Sequence, residues 1–295
     1  MMLSKSLRLF VFAILSLATF FSNAATIDTI DVVSPAMNKT YKAAVALPTS
    51  YANNKASYPV LYLLHGGPGS FRSWLIQPPT NKKLVQEMAD QYNMIIVMPD
   101  GEAFSWYLDS PFNPQSQFET HIIKEVIPKI DNTYRTVKTN KGRVITGLSM
   151  GGHGAMYLST RHPDMFCAAG SMSGALDMNF SKYRFDSTAT RSIKDKYLKV
   201  LGTDDPNNAL FAKNSVINMV ETIKKNGLPM IIDCGVDDFL LDTNREFHNR
   251  LVYSNVPHDY TERPGGHTWA YWENALPYQM VFFQKVLKKN GVTVE

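Results

Sequence analysis

The sequence predicts an α/β fold: a mostly parallel sheet of about eight strands with helices on both faces. Three observations predict it. Strand-like and helix-like runs alternate along most of the chain. Inner runs such as residues 59–64 and 94–98 are continuously apolar, as strands covered on both faces are. Finally, Gly147-Leu148-Ser149-Met150-Gly151-Gly152 joins a strand-like run (143–146) to a helix-like run (152–160) through a turn of small residues.

Each element has its own reason. Residues 27–33 and 41–47 roughly alternate apolar and polar, and each run stops just before a proline, Pro35 or Pro48. They read as an antiparallel opening pair with one wet face. The strand at 59–64 ends in His65-Gly66-Gly67-Pro68-Gly69, and the strand at 94–98 in Pro99-Asp100-Gly101. Between them, Leu84, Met88 and Tyr92 have helical spacing within 82–92. Residues 102–116 form a loop rich in aromatics and prolines. Residues 118–134 are helical, with Ile122, Ile123, Val126, Ile127 and Ile130 on one side and a kink expected at Pro128. After the elbow come a strand (165–173), a helix (215–225), a strand (230–235), a helix (243–253), a last strand (259–263) and a closing helix (271–289). Residues 175–214 break this rhythm. They are polar and irregular, with a short helical piece near 195–200, and read as an insertion near the site. No repeat or linker divides the chain, so residues 25–295 form one expected domain.

The first 24 residues read differently. Lys5 and Arg8 precede an apolar run from Leu9 to Phe21, and Ser22-Asn23-Ala24 offers small residues for cleavage. This is a secretory leader pattern. The apolar run is about 13 residues against the roughly 20 that a membrane-spanning helix needs. A secreted or periplasmic protein beginning at Ala25 is therefore expected, with no membrane attachment after cleavage. The net charge of +4 falls to +2 once Lys5 and Arg8 are removed. With no basic cluster, that charge argues against nucleic acid as a partner. A hydrophobic fraction of 44% and a charged fraction of 19% exclude a disordered chain.

There are two cysteines, Cys167 and Cys234. They fall at opposite ends of successive strands, which places them about 15–20 Å apart if those strands are parallel neighbours. A disulfide allows no more than about 7 Å between Cα atoms. Two buried free thiols are expected. Neither the cysteines nor the histidines have metal-ligand spacing, and no metal or cofactor is expected.

The strand–turn–helix around Ser149 is the context of a nucleophile elbow. A serine lifted clear of the sheet can meet a substrate, and the N–H of Met150 at the following helix start can stabilise a developing negative charge. A serine hydroxyl needs a base to take its proton, most often histidine. Of seven histidines, His267 follows the last strand, in Pro264-Gly265-Gly266-His267-Thr268-Trp269, where two glycines let the loop approach the serine. His65 belongs to the glycine loop. His121 and His248 lie within helices, His153 one turn beyond Ser149, His162 at a helix end, and His258 at the wrong end of its strand. The orienting acid should follow the strand that ends near Cys234, where Asp237, Asp238 and Asp242 compete. A second oxyanion donor belongs to the loop at His65-Gly66-Gly67.

These motifs resemble the esterase D group of α/β-hydrolases, which includes S-formylglutathione hydrolase, the antigen 85 mycolyltransferases and the acetylxylan and feruloyl esterases of carbohydrate esterase family one. The resemblance runs through Leu63-Leu64-His65-Gly66-Gly67, Trp106-Tyr107-Leu108-Asp109-Ser110-Pro111, Phe118-Glu119-Thr120, Thr133-Tyr134-Arg135, residues 147–154, Ser171-Met172-Ser173-Gly174, residues 234–240 and Gly265-Gly266-His267-Thr268-Trp269. It implies a serine carboxylesterase with a Ser149, His267, Asp238 triad and an oxyanion hole from the N–H groups of Gly67 and Met150. It also implies acetyl or feruloyl esters of plant polysaccharide as substrates, with Trp106, Tyr107 and Trp269 available to stack on a sugar or phenolic ring. Thr268 departs from the aspartate common at that position. A thioesterase of the S-formylglutathione hydrolase type has a cytosolic substrate, against which the leader counts. An acyltransferase of the mycolyltransferase type differs only in the acceptor hydroxyl. A non-catalytic binding module would usually lack a triad member, and all three are present.

Overall fold

A computed structural model of the chain describes residues 24–292; the leader expected over residues 1–24 lies, apart from Ala24, outside them. Eight strands form one sheet in the order β1-β2-β4-β3-β5-β6-β7-β8. They are β1 (Thr26–Ser34), β2 (Lys39–Leu47), β3 (Val60–Leu64), β4 (Ile95–Pro99), β5 (Arg143–Gly147), β6 (Ala168–Met172), β7 (Met230–Gly235) and β8 (Asp259–Arg263). β1 and β2 pair antiparallel along their whole length, and β2 pairs antiparallel with β4. All pairings from β4 to β8 are parallel.

The inner strands are apolar throughout because both sheet faces are covered. In β3 the two-residue period divides the side chains. Val60, Tyr62 and Leu64 enter one core, while Leu61 and Leu63 enter the other. Leu84, Val85, Met88 and Ala89 of the Leu84–Tyr92 helix join the second core, as do Leu276, Met280 and Phe283 of the Trp269–Lys289 helix. The first core takes the Met150–Arg161 helix and side chains of residues 175–214.

Two segments differ from expectation. The helical stretch after Phe118 holds a π-helical turn, His121–Val126, between Phe118–Thr120 and Ile127–Thr133. There the Ile127 N–H bonds the carbonyl five residues back, on Ile122. The widened turn precedes Pro128, whose ring would press on the carbonyl four residues earlier in a regular helix. Residues 175–214, expected to be an irregular insertion, are also more ordered than their polarity suggests. They contain a 15-residue helix, Ser187–Leu201, and a short one, Ala209–Asn214. Asp186 caps the long helix by accepting the Ala189 N–H, and Gly202 ends it at φ 72°. Ile193, Tyr197, Val200 and Leu201 form its buried stripe.

Cys167 and Cys234 are free and lie on the neighbouring strand paths of β6 and β7. Cys234 is buried. Cys167 is only half-buried, which corrects the expectation of two buried thiols: it precedes β6, at the sheet margin beside Asn140 and Asn290.

Candidate active site

Parallel strands put their carboxyl ends, and the loops that leave them, along one edge. Ser149 follows β5, Asp238 follows β7 and His267 follows β8. Ser149 stands between strand and helix at φ 55°, ψ −116°, a backbone conformation in which a non-glycine residue is strained. Its neighbours hold it there. The Ser149 N–H donates to Met172 O (2.9 Å), and its carbonyl accepts the His153 N–H (3.1 Å). Gly151 lets the helix approach the sheet, because a Cβ there would lie 2.6 Å from the carbonyl oxygens of both Leu64 and His65.

The Ser149 hydroxyl donates to His267 Nε2 over 2.9 Å, and His267 Nδ1–H donates to Asp238, 2.9 Å from Oδ2 and 3.1 Å from Oδ1. A neutral imidazole protonated on Nδ1 satisfies both bonds. Asp238 is fully buried, and its Oδ1 also accepts the Leu240 N–H (2.9 Å). Asp237 is exposed, and Asp242 is exposed and paired with Arg184, so only Asp238 reaches the histidine. The loops that carry Asp238 and His267 are tied together. Val236 N–H bonds Arg263 O (2.9 Å) and Asp237 N–H bonds Gly265 O (3.0 Å). Gly235 makes room for this, since a Cβ would lie 2.2 Å from Gly265 O. Thr268 accepts the Tyr271 N–H as cap of the closing helix, a task an aspartate performs equally well.

Met150 is the first residue of its helix, and Gly66 packs against Ser149, bringing Gly67 to the same edge. Among the described residues, the N–H groups of Gly67 and Met150 donate to no protein acceptor. A cleft of about 470 Å³ opens here, lined by Gly67, Leu148, Ser149, His267, Trp269 and Trp272.

The other histidines are engaged elsewhere. His65 is buried and accepts the Gly101 N–H on Nε2 (2.9 Å). His153 lies under the elbow between the carbonyls of Trp106 (3.1 Å) and Asn214 (2.9 Å), and burial pushes its pKa down to about 4. His121 bonds Glu125, His162 bonds Glu119, and His248 and His258 bond each other. No group of three or more His, Cys, Asp or Glu among the described residues is arranged to hold a metal ion.

Two expected substrate contacts are corrected. Trp106 and Tyr107 are buried, not displayed in the cleft. The Trp106 ring stacks on Tyr197 of the insertion (centroids 4.6 Å apart, planes at 8°) and meets His153 edge-on. Tyr107 packs on Gly101 and Gly154, and its hydroxyl bonds the His65 backbone. Trp269 does line the cleft, with Trp74 edge-on behind it at 5.2 Å. Sequence reading missed Trp272 and Phe239, which flank the imidazole. Trp272 had a signal, since it lies three residues beyond Trp269 on one helix face; Phe239 had none beyond adjacency to Asp238.

The family model described as "Putative esterase" matches residues 34–283, so the chain belongs to that esterase family. An acetyl esterase from Caldicellulosiruptor saccharolyticus is 29% identical over 230 residues, covering 77% of this chain and 83% of the relative. Esterase Rv1288 of Mycobacterium tuberculosis is 28% identical over 242 residues, and there the match spans about half of the relative's length (52%) and 76% of this chain. A solved ferulic acid esterase is 30% identical with a TM-score of 0.74, covering 89% of this chain and 99% of that one. The fold is that of the α/β-hydrolases, and the chain is a serine hydrolase acting on carboxylic esters. No helix among the described residues is long and apolar enough to cross a membrane.

Proposed function

We propose that this esterase is a secreted or periplasmic enzyme that hydrolyses acetyl or feruloyl esters of plant polysaccharide, with Ser149, His267 and Asp238 as its catalytic triad. The observation that carries the reading is the hydrogen-bonded line Ser149–His267–Asp238 at the floor of the cleft. Ser149 Oγ attacks the ester carbonyl carbon while His267 Nε2 takes its proton. The resulting oxyanion sits between the N–H groups of Gly67 and Met150. Collapse of this intermediate expels the alcohol, which receives the proton from His267, and leaves an acyl-serine. Water, deprotonated by the same nitrogen, releases the acid. Asp238 holds the imidazole in the required tautomer and stabilises its charged form.

The substrate class draws on similarity to the acetyl esterase and the ferulic acid esterase, and on Trp269 as a flat wall of the cleft. Export draws on the leader pattern of residues 1–24, with residues 25–295 as one catalytic domain and 175–214 as its insertion. Hydrolysis of p-nitrophenyl acetate by wild type and Ser149→Ala tests the nucleophile. An unchanged rate in Ser149→Ala refutes it. Acetylated xylan, a feruloylated oligosaccharide and S-formylglutathione, compared at equal enzyme, test the substrate. Preference for the thioester refutes the polysaccharide assignment.

A further inference from the structure

The loop that carries His267 contains Pro264, Gly265 and Gly266, and Gly265 stands at φ 130°. Two hydrogen bonds fix the ring edges of His267, but hydrogen bonds to Asp238 and Ser149 leave its faces unrestrained. Two aromatic side chains occupy that role. The Phe239 ring lies 4.3 Å from the imidazole centroid with planes at 43°, and the Trp272 ring lies 4.8 Å away at 89°. Among the described residues, Asp238 is the one ionisable side chain that bonds the imidazole.

Both rings are themselves held. Trp272 is buried in the first turns of the closing helix, edge-on to Trp269. Phe239 is packed from the far side by the insertion: Phe185 lies 4.5 Å and Tyr183 6.2 Å from it, and the Arg184 N–H bonds Phe239 O (3.2 Å). Phe239 is not among the residues that line the cleft.

We propose that Phe239, backed by Phe185 of the insertion, is a positioning residue for His267 that favours the imidazolium formed in the transition state. This rests on the triad reading above. The face of an aromatic ring attracts a cation more than a neutral ring. His267 is neutral when it receives the serine proton and charged at the transition state, so this contact strengthens as the reaction proceeds. Such an interaction raises kcat and leaves KM nearly unchanged. Trp272 flanks the same ring but also lines the cleft, so Phe239 is the residue at which positioning separates from substrate contact.

The test uses p-nitrophenyl acetate, with kcat and KM measured across pH, active sites counted with an organophosphonate, and thermal midpoints recorded. Phe239→Leu should lower kcat about fivefold with KM unchanged, the order that a partly desolvated cation–π contact carries. The acid limb of kcat/KM should move to lower pH by about half a unit. Phe239→Tyr, which keeps the ring face, should recover most of the rate. Phe239→Met is a second ring-free variant if the leucine form folds poorly. Equal losses in the tyrosine and ring-free variants would overturn the proposal, since keeping the ring face would then confer nothing. So would ring-free variants with the wild-type rate and acid limb. Activity surviving in His267→Ala would overturn the triad assignment and this proposal with it. An inactive His267→Ala beside unaffected Phe239→Leu and Phe239→Met would overturn this proposal alone.

Discussion

Replacing Asp238 with asparagine removes one charge and turns one acceptor into a donor, and the structure shows why this should be severe. Asp238 accepts two kinds of N–H: Leu240 on Oδ1 at 2.9 Å, and His267 Nδ1 at 2.9 and 3.1 Å. An asparagine has one acceptor oxygen. In this fully buried position it turns that oxygen to the fixed Leu240 N–H, and its NH₂ then faces Nδ1. Nδ1 must accept, so the proton moves to Nε2 and points at Ser149. The base is then blocked in its ground state. The comparable change in a well-characterised serine protease costs about 10⁴ in kcat, equivalent to about 5 kcal/mol of transition-state stabilisation. The same order is expected here. Asp237→Asn is the control, because Asp237 is exposed and its structural bond, N–H to Gly265 O, comes from the backbone. Its kcat should stay within about threefold of wild type, as surface changes usually do. Steady-state p-nitrophenyl acetate kinetics, with circular dichroism to check folding, decides between them. A folded Asp238→Asn enzyme within tenfold of wild type, or a larger loss at Asp237, would refute the tautomer argument.

Three further outcomes are expected. Trp106→Ala should destabilise the fold by about 3–5 kcal/mol in urea titrations, as removing a buried aromatic does, whereas Trp269→Ala should leave the urea midpoint nearly unchanged and weaken turnover of a feruloylated oligosaccharide more than that of p-nitrophenyl acetate; a mild Trp106→Ala refutes its burial role. Burial lowers the His153 pKa from 6.5 to about 4, outweighing the two facing carbonyls that favour its charged form. The unfolded chain therefore binds a proton first as pH falls, and stability drops between about pH 6.5 and 4 by up to about 3 kcal/mol, a slope that His153→Gln should lack. Burial pushes the Cys167 thiol up to about 11, so brief alkylation at pH 8, read by mass spectrometry, should leave it largely unmodified, and rapid modification contradicts that environment.

Legibility in the sequence followed the strength of local rules. The parallel strands were readable because burial on both faces makes them apolar without interruption, as in β3 and β4. The elbow was readable because glycines flank a serine between strand and helix. His267 stood out from six other histidines by chain order and by its glycines, and the structure brings it to Ser149. Asp237 and Asp238 were inseparable on spacing, because one residue along a turn reverses the direction of a side chain and spacing carries no record of it. Within residues 175–214 the helix was read too short although it had signals: Asp186 at the start, Gly202 at the end, and apolar residues at 193, 197, 200 and 201. Exposed polar residues on the other helix face diluted that stripe.

Trp106 and Tyr107 expose a deeper ambiguity. A loop leaving the carboxyl end of a strand, rich in aromatics, has the composition of a substrate wall and of a buried wedge alike. Backbone conformation separates the two after the fact. Glu102, Phe104, Trp106 and Tyr107 all have positive φ, between 52° and 59°. Each such non-glycine residue costs about 1–3 kcal/mol, and a glycine would remove the cost. The side chains show why glycine is absent at the last two positions. A tryptophan or tyrosine ring buries roughly 150–250 Å², which at about 25 cal/mol per Å² stabilises the fold by about 4–6 kcal/mol. Trp106 and Tyr107 are almost wholly enclosed, so burial exceeds the backbone strain at each, although at Trp106 a buried indole N–H without a partner among the described residues offsets about 1–3 kcal/mol of the gain. The twisted loop also places the Trp106 N–H 3.3 Å from Met150 Sδ and the Trp106 carbonyl on His153, directly beneath the residue whose N–H faces the proposed oxyanion. The aromatic loop therefore braces the Ser149 turn from below. Under the proposed function, recognition of a bulky ester then falls to groups that line the cleft, with Trp269 the largest of those that do not touch the imidazole of His267.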